Sequence, residues 1–128
     1  MRIGFTYHPA NHLAVDALGR ARRWCSAREV DAWDSAADER ERVADACEGT
    51  DLVCVLGGDG TFLRTAQAIG DSGVPALGVN LGRVGFLAKV ELDDLEGALQ
   101  QVLAGDYSVE DRFRISATLV RADGSTET

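Results

Sequence analysis

The chain has 128 residues, with 13 Lys plus Arg against 21 Asp plus Glu and a net charge of −8. That length is one domain by the ordinary prior and enough to bury a core, and the acidic balance argues against a broad electrostatic footprint for nucleic acid or an anionic membrane. Apolar runs reach only about five residues and the N-terminus lacks the basic-then-apolar layout of a signal peptide, so no membrane segment is expected and the expected location is cytoplasmic.

Ile3 to Tyr7 is a short β-prone run closed by Pro9 and Asn11, after which Ala14, Ala17, Leu18, Ala21 and Trp24 fall at helical spacing. Val30 to Trp33 predicts a weaker second strand. Ala36, Arg40, Val43, Ala44 and Cys47 then trace a helix whose outer face, Asp38, Glu39, Glu41 and Arg42, reads as a solvated surface. Leu52 to Leu56 is apolar without alternation, the pattern of a strand covered on both faces in a parallel sheet. Phe62, Leu63, Ala66 and Ile69 share a helical face up to Gly70, and Pro75 to Val79 predicts another buried strand ending in the loop NLGRVGF, Asn80 to Phe86. Leu92, Leu95, Leu99, Val102 and Leu103 predict a further amphipathic helix, stopped by Gly105. This alternation predicts an α/β fold, a doubly wound and mostly parallel sheet over residues 1–106.

From Val109 the pattern changes: Val109, Phe113, Ile115, Ala117 and Leu119 share one parity and Arg112, Arg114, Ser116 and Thr118 the other, as in a one-sided strand. RADGST, Arg121 to Thr126, supplies an Asp-Gly turn with only Ser125 to Thr128 left to return. A lone hairpin has little stability. Residues 107–128 are therefore expected to be the first hairpin of a truncated all-β C-terminal domain, and the chain the N-terminal portion of a longer protein.

Cys25, Cys47 and Cys54 are odd in number and spaced for neither a disulfide framework nor a zinc site, so they read as reduced, mostly buried thiols. His8 and His12 have Pro9 between them, which breaks the helical geometry that would align two metal ligands. The remaining chemistry lies in two glycine-rich loops at the carboxyl ends of strands, where ligands of open parallel sheets bind. Gly57, Gly58 and Gly60 let backbone approach a ligand, and the N–H groups of the Thr61 to Arg64 turn favour an anion. A plain strand-to-helix turn capped by Asp59 or Thr61 would give the same pattern. There is no Gly-Lys-Ser/Thr, and Leu63 stands where a dinucleotide fingerprint needs its third glycine, so this is neither a phosphate loop nor an ordinary Rossmann site.

GGDGTFLRTAQ, Gly57 to Gln67, followed by GVNLGRVGFLAKVELDDL, Gly78 to Leu95, resembles the NAD kinase family, with the likeness running from about Asp51 to the end. The resemblance implies an NAD kinase/diacylglycerol kinase-like N-terminal α/β domain joined to a β-rich C-terminal domain. It also implies phosphoryl transfer from ATP or polyphosphate to the 2′-hydroxyl of the adenosine ribose of NAD, giving NADP, with Mg²⁺ as the divalent metal. Asp59 matches the family's proton acceptor. An aspartate is a weak base for an alcohol, so orientation with late proton transfer is its expected role, and magnesium ligation through the donor phosphates is the competing one. Gly57, Gly58 and Gly60 map onto backbone contacts to nucleotide, Asp59 with Gly60 onto the NAD-binding pair, and Arg64 onto a ligand-contacting position suited to phosphate. Phe86 matches a residue lining the NAD pocket and Leu63 could meet the ligand's apolar surface, with core packing open for both. Asn80, Gly82 and Gly85 shape the second loop, and Arg83 and Lys89 are unassigned surface charges. The family's further motif, Asn followed by Glu or Asp after the hairpin, has no counterpart in these 128 residues.

Expected partners are small-molecule nucleotides, with neither nucleic acid nor membrane, in a homo-oligomer built through the β domain. Diacylglycerol-type lipid kinases and phosphofructokinases resemble the chain at Gly57 to Thr61. The lipid kinases, however, continue with an Asn-Glu pair where this chain has Phe62, Leu63 and Arg64. The other alternative is a non-catalytic nucleotide-binding or assembly module, and the 128 residues alone are expected to have little or no activity.

Overall fold

The computed structural model describes residues 1–81 and 87–109, together with the backbone of 119–120 and 126–127. Its elements in chain order are β1 (Arg2–Tyr7), α1 (His12–Ala27), β2 (Asp31–Ala36), α2 (Arg40–Ala46), β3 (Leu52–Leu56), α3 (Asp59–Ile69), β4 (Ala76–Asn80), β5 (Val90–Glu91) and α4 (Leu95–Ala104). The fully apolar β3 lies mid-sheet and is buried along its whole length, as an unalternating strand must be. The strand order is β2-β1-β3-β4-β5, and every pairing is parallel. Tyr7 pairs with Ala36 on one side and Leu56 on the other, so β1, β2 and β3 end level with one another.

Period-two alternation assigns each strand's side chains to one of two cores. Ile3, Phe5, Cys54, Leu56 and Val79 pack with Ala14, Ala17, Ala21 and Trp24 of α1 and with Leu95, Leu99 and Val102 of α4. On the opposite face Val53 packs with Val43 of α2 and with Ala68 and Ile69 of α3. Each large apolar side chain so buried contributes about 1.5–3 kcal/mol. Cys25, Cys47 and Cys54 are all free and buried, and burial pushes the Cys54 thiol up to about 12.

Several boundaries differ from the sequence reading. The second strand begins at Asp31, not Val30, and runs three residues past Trp33, so Ala36 ends it and does not open α2. Pairing with β1 decides this, since Ser35 and Ala36 complete the ladder opposite Thr6 and Tyr7. β5, held by two pairs, Val79↔Val90 and Asn80↔Glu91, is too short to leave a period and was not anticipated. Leu92 lies in a 3-10 turn, Leu92–Asp94, ahead of α4. α4 ends at Gly105, whose φ of 73° is a left-handed conformation that favours glycine. Beyond it, β6 (Leu119–Val120) pairs antiparallel with β7 (Thr126–Glu127), Val120 opposite Thr126. Of the one-sided strand expected from Val109 to Leu119, Val109 is not in a strand and Leu119 is, while residues 110–118 and the Asp123-Gly124 turn lie outside the described residues.

α1 and α4 share a sheet face and are joined by a bidentate pair. Arg20 Nε donates to Glu96 Oε1 at 2.8 Å and Arg20 Nη2 to Oε2 at 2.6 Å. The guanidinium holds the Glu96 carboxyl below its ordinary 4.5. A lowered folded-state pKa means the stabilisation is full above about pH 4.5 and is lost as pH falls through the lowered value. Both side chains are more than a third exposed or close to it, so the pair is worth only about 0.5–1 kcal/mol. Glu96→Gln is expected to lower stability by that amount at pH 7 and by progressively less as pH falls below 4.5. Urea unfolding at pH 7 and near pH 3 checks this, and an equal loss at both would exclude the ion pair as its cause.

Candidate functional site

Parallel strands with both faces covered send all their outgoing loops to one edge. β1 leads into the turn His8 to Asn11, where Asn11 N–H donates to His8 O at 3.0 Å and Asn11 Oδ1 caps α1 by accepting from Leu13 and Ala14 N–H. The exit of β2 is tied to the same edge by Ala37 N–H donating to Tyr7 O at 2.9 Å. β3 leads into Gly57, whose N–H donates to Val79 O at 3.2 Å and so prolongs the ladder to β4.

α3 starts at once. Its N-cap is Gly58, which has no side chain to cap with, and the first helical bond runs from Phe62 N–H to Gly58 O at 3.0 Å. Neither Asp59 nor Thr61 is therefore the cap that the sequence left open. First-turn N–H groups of such a helix have no intrahelical acceptor and carry the positive end of its dipole. Gly57 is needed for proximity, because a Cβ there would lie 2.9 Å from Thr61 Oγ1. At Gly58 and Gly60, by contrast, a Cβ would meet nothing within 4 Å among the described residues.

A buried polar link fixes how α3 sits. Thr65 Oγ1 donates to Thr61 O at 2.9 Å, which uses its only proton, so the 2.7 Å contact with Thr6 Oγ1 must have Thr6 as donor. Both threonines are fully buried. Sequence reasoning passed over this pair, although a threonine inside the apolar run Ile3 to Tyr7 is a signal that something polar must face it.

Asp59 is half-buried at the first position of α3, and its Oδ1 accepts from Leu87 N–H at 3.1 Å across 28 residues. Beyond Leu87, Ala88 lies against Gly78 so closely that a Cβ on Gly78 would come within 2.8 Å of its Cα, and Lys89 N–H donates to Gly78 O at 3.1 Å. The segment leaving the second loop is thus laid over β4, with Asp59 at its head. Lys89 keeps its exposed side chain. Leu63 is 54% exposed, which excludes core packing for it, and Arg64 is exposed one turn into the helix. Of the other expected residues, Phe86, Gly82, Arg83 and Gly85 lie outside the described residues. Tyr7, His8, Pro9, Ala37, Asp38, Thr61 and Arg64 line a cleft of about 140 Å³ on the β1 side of α3. Of these, the sequence singled out Arg64 and the backbone of Thr61 as facing an anion, and the rest carry no motif.

The order 2-1-3-4-5 with helices on both faces is the doubly wound α/β class, in which the crevice opens where β1 and β3 diverge. A family model described as the ATP-NAD kinase N-terminal domain matches residues 3–107, and the chain belongs to that family. It is 39% identical over 126 residues to the NAD kinase of Heliobacterium modesticaldum, covering 93% of this chain and 44% of that protein. The NAD kinase of Corynebacterium glutamicum is 54% identical over 84 residues, covering 66% and 28%. That of Dehalococcoides mccartyi is 34% identical over 124 residues, covering 97% and 44%. The chain spans less than half the length of these relatives.

The threonine pair gives a prediction. Thr65→Val strands the Thr6 hydroxyl in the core and is expected to cost about 1–3 kcal/mol. The double variant Thr6→Val with Thr65→Val removes both partners and is expected to be more stable than Thr65→Val alone. Denaturant unfolding of the three chains decides it, and strictly additive losses would contradict the link.

Proposed function

We propose that this chain is the nucleotide-binding N-terminal part of an NAD kinase, an enzyme that moves a phosphoryl group from ATP or polyphosphate to the 2′-hydroxyl of the adenosine ribose of NAD. The observation that carries the reading is the Asp59–Leu87 hydrogen bond, because it sets one carboxylate where the Gly-Gly-Asp-Gly turn and the exit of the second glycine loop meet. Family membership over residues 3–107 supports the choice of reaction.

In this reading Asp59 accepts a hydrogen bond from the ribose hydroxyl, orients it in line with the donor phosphorus, and takes its proton as the phosphoryl group departs. Gly57, Gly58 and Gly60 present backbone to the nucleotide, and the open Cβ positions of Gly58 and Gly60 leave room for close approach. Arg64 supplies positive charge toward phosphate on a chain that is acidic overall. Leu63, exposed in the same turn, offers apolar surface to the ligand. Phe86 belongs to the same proposal as a wall of the NAD pocket.

Among the described residues no group of three His, Cys, Asp or Glu could hold a metal by itself. That fits magnesium, which keeps several waters and binds through substrate phosphates with one or two carboxylates. Asp59 would be such a carboxylate, and the ion when bound would neutralise charge on the transferred group. No helix among the described residues is long and apolar enough to cross a membrane. A cytoplasmic location, nucleotides as the only ligands, and a homo-oligomer formed through a β-rich C-terminal domain complete the proposal.

Asn at position 59 can still accept from Leu87 N–H, whereas Ala cannot. In the chain carried on the C-terminal part of the Heliobacterium relative, Asp59→Asn is expected to lower kcat by about 10²–10⁴-fold with little change in KM for NAD. Asp59→Ala is expected to raise that KM as well. Full NADP formation by Asp59→Asn would sink the catalytic assignment. The 128 residues alone, given magnesium, NAD and either donor, are expected to form little or no NADP, and robust turnover by them would contradict the need for a second domain.

A further inference from the structure

Asp59 can orient a substrate hydroxyl only if α3 is held at one rotation about its own axis. Its carboxylate leaves the first turn of the helix and meets Leu87 N–H at 3.1 Å. An atom at the rim of a helix lies about 5–6 Å from the axis, so a turn of about 20° moves it by about 2 Å. A misplacement of about 1 Å at the reacting atoms can cost on the order of 10²-fold in rate. Whatever sets the rotation of α3 therefore bears on the chemistry.

Three close approaches seat α3 on the sheet. Thr61 lies over Gly57 and Phe62 over Gly78, where an added Cβ would come within 2.9 Å of Thr61 Oγ1 and 3.1 Å of Phe62 Cδ2. These two contacts are steric: they limit how near the helix comes and have no preferred direction around its axis. The third is the Thr6–Thr65 hydroxyl pair at 2.7 Å, which is directional. Thr65 gives its proton to Thr61 O at 2.9 Å, so its rotamer is fixed and a lone pair is left aimed at Thr6. The strand end is equally constrained. Thr6 stands opposite Ser35 and Val55 in the sheet, and neither can replace Thr65 as its partner. Val55 has no polar side-chain atom, and Ser35 Oγ is turned to Ala36 O at 3.0 Å and to Glu39 Oε2 at 3.2 Å.

We propose that Thr6 and Thr65 are positioning residues for the phosphoryl transfer. Their bond lies six residues from Asp59, about 9 Å along the helix, and sets the rotation that presents the Asp59 carboxylate to Leu87 N–H and to the acceptor hydroxyl. Both threonines are fully buried and act through α3. The reaction is taken from the kinase reading above, whereas the coupling of Thr65 to the Asp59–Leu87 contact stands without it.

Two measurements test it. In the 128-residue chain the Leu87 amide proton is followed by NMR, with Asp59→Ala giving its shift when the bond to residue 59 is gone. Thr65→Val and Thr6→Val are expected to move it toward that reference, and Thr65→Ser, which keeps the hydroxyl, to leave it at the wild-type value. In the enzyme completed with the Heliobacterium C-terminal part, Thr65→Val is expected to lower kcat for NADP formation about 10–10²-fold with little change in KM for NAD, and Thr65→Ser to restore it. The double variant Thr6→Val with Thr65→Val separates positioning from stability: it is expected to regain stability over Thr65→Val while its kcat stays low. A kcat that recovers in step with stability, or a Leu87 amide unmoved in both Thr65→Val and Thr6→Val, would overturn the proposal. If Thr65→Val loses the native circular dichroism spectrum, Thr6→Val decides, because Thr65 then keeps its bond to Thr61 O. No NADP from the completed wild-type enzyme would sink the kinase reading alone, and the Leu87 amide then decides the positioning.

Discussion

A single buried contact, the hydroxyl of Thr6 donating to that of Thr65, governs how the ligand edge is assembled. β1 is an inner strand whose neighbours β2 and β3 leave Thr6 no exposure, so its hydroxyl must be satisfied from the helix above it. Apolar packing of Ala68 and Ile69 against Val53 and Val43 holds α3 on that face but is tolerant of small rotations. The hydroxyl pair is directional and is not. It fixes the helix about its own axis, and because Thr65 also donates to Thr61 O, the register extends one turn toward the N-terminus.

Once that rotation is set, an α-helix of 3.6 residues per turn distributes the remaining side chains. Thr61, four residues from Thr65, is turned to the sheet side and the β1 cleft, while Asp59 stands about 200° away from it and meets Leu87. The N-terminal turn of α3 is thereby offered to two compartments. One side has the Asp59 carboxylate, which accepts from Leu87 N–H. The other holds Thr61 and Arg64 beside the loop that leaves β1.

The acidic balance of the chain makes this arrangement local. A net charge of −8 offers no long-range attraction to a polyanion, so any attraction this edge offers an anion is short-range, from the N-terminal turn of α3 and the exposed Arg64.

Much of this was legible in the residues. The unbroken apolar run Leu52 to Leu56 required a strand covered on both faces, Gly70 and Gly105 marked helix ends, and the Gly-Gly-Asp-Gly turn placed Asp59 at the mouth of a helix, because each of these is a local consequence of side-chain shape or periodicity. The ends of β2 and the existence of β5 were not legible, since pairing with β1 and β4 and not local propensity sets them. Nor were the partners of Thr6, Thr65 and Asp59. Sequence by itself determined the fold class, the family and the glycine-rich edge of the sheet. Only the tertiary structure decided which residues share it, because Thr6 and Thr65 are 59 positions apart, Asp59 and Leu87 are 28, and contacts at that range are made by the closure of a parallel sheet between helices and by nothing written in the neighbouring residues.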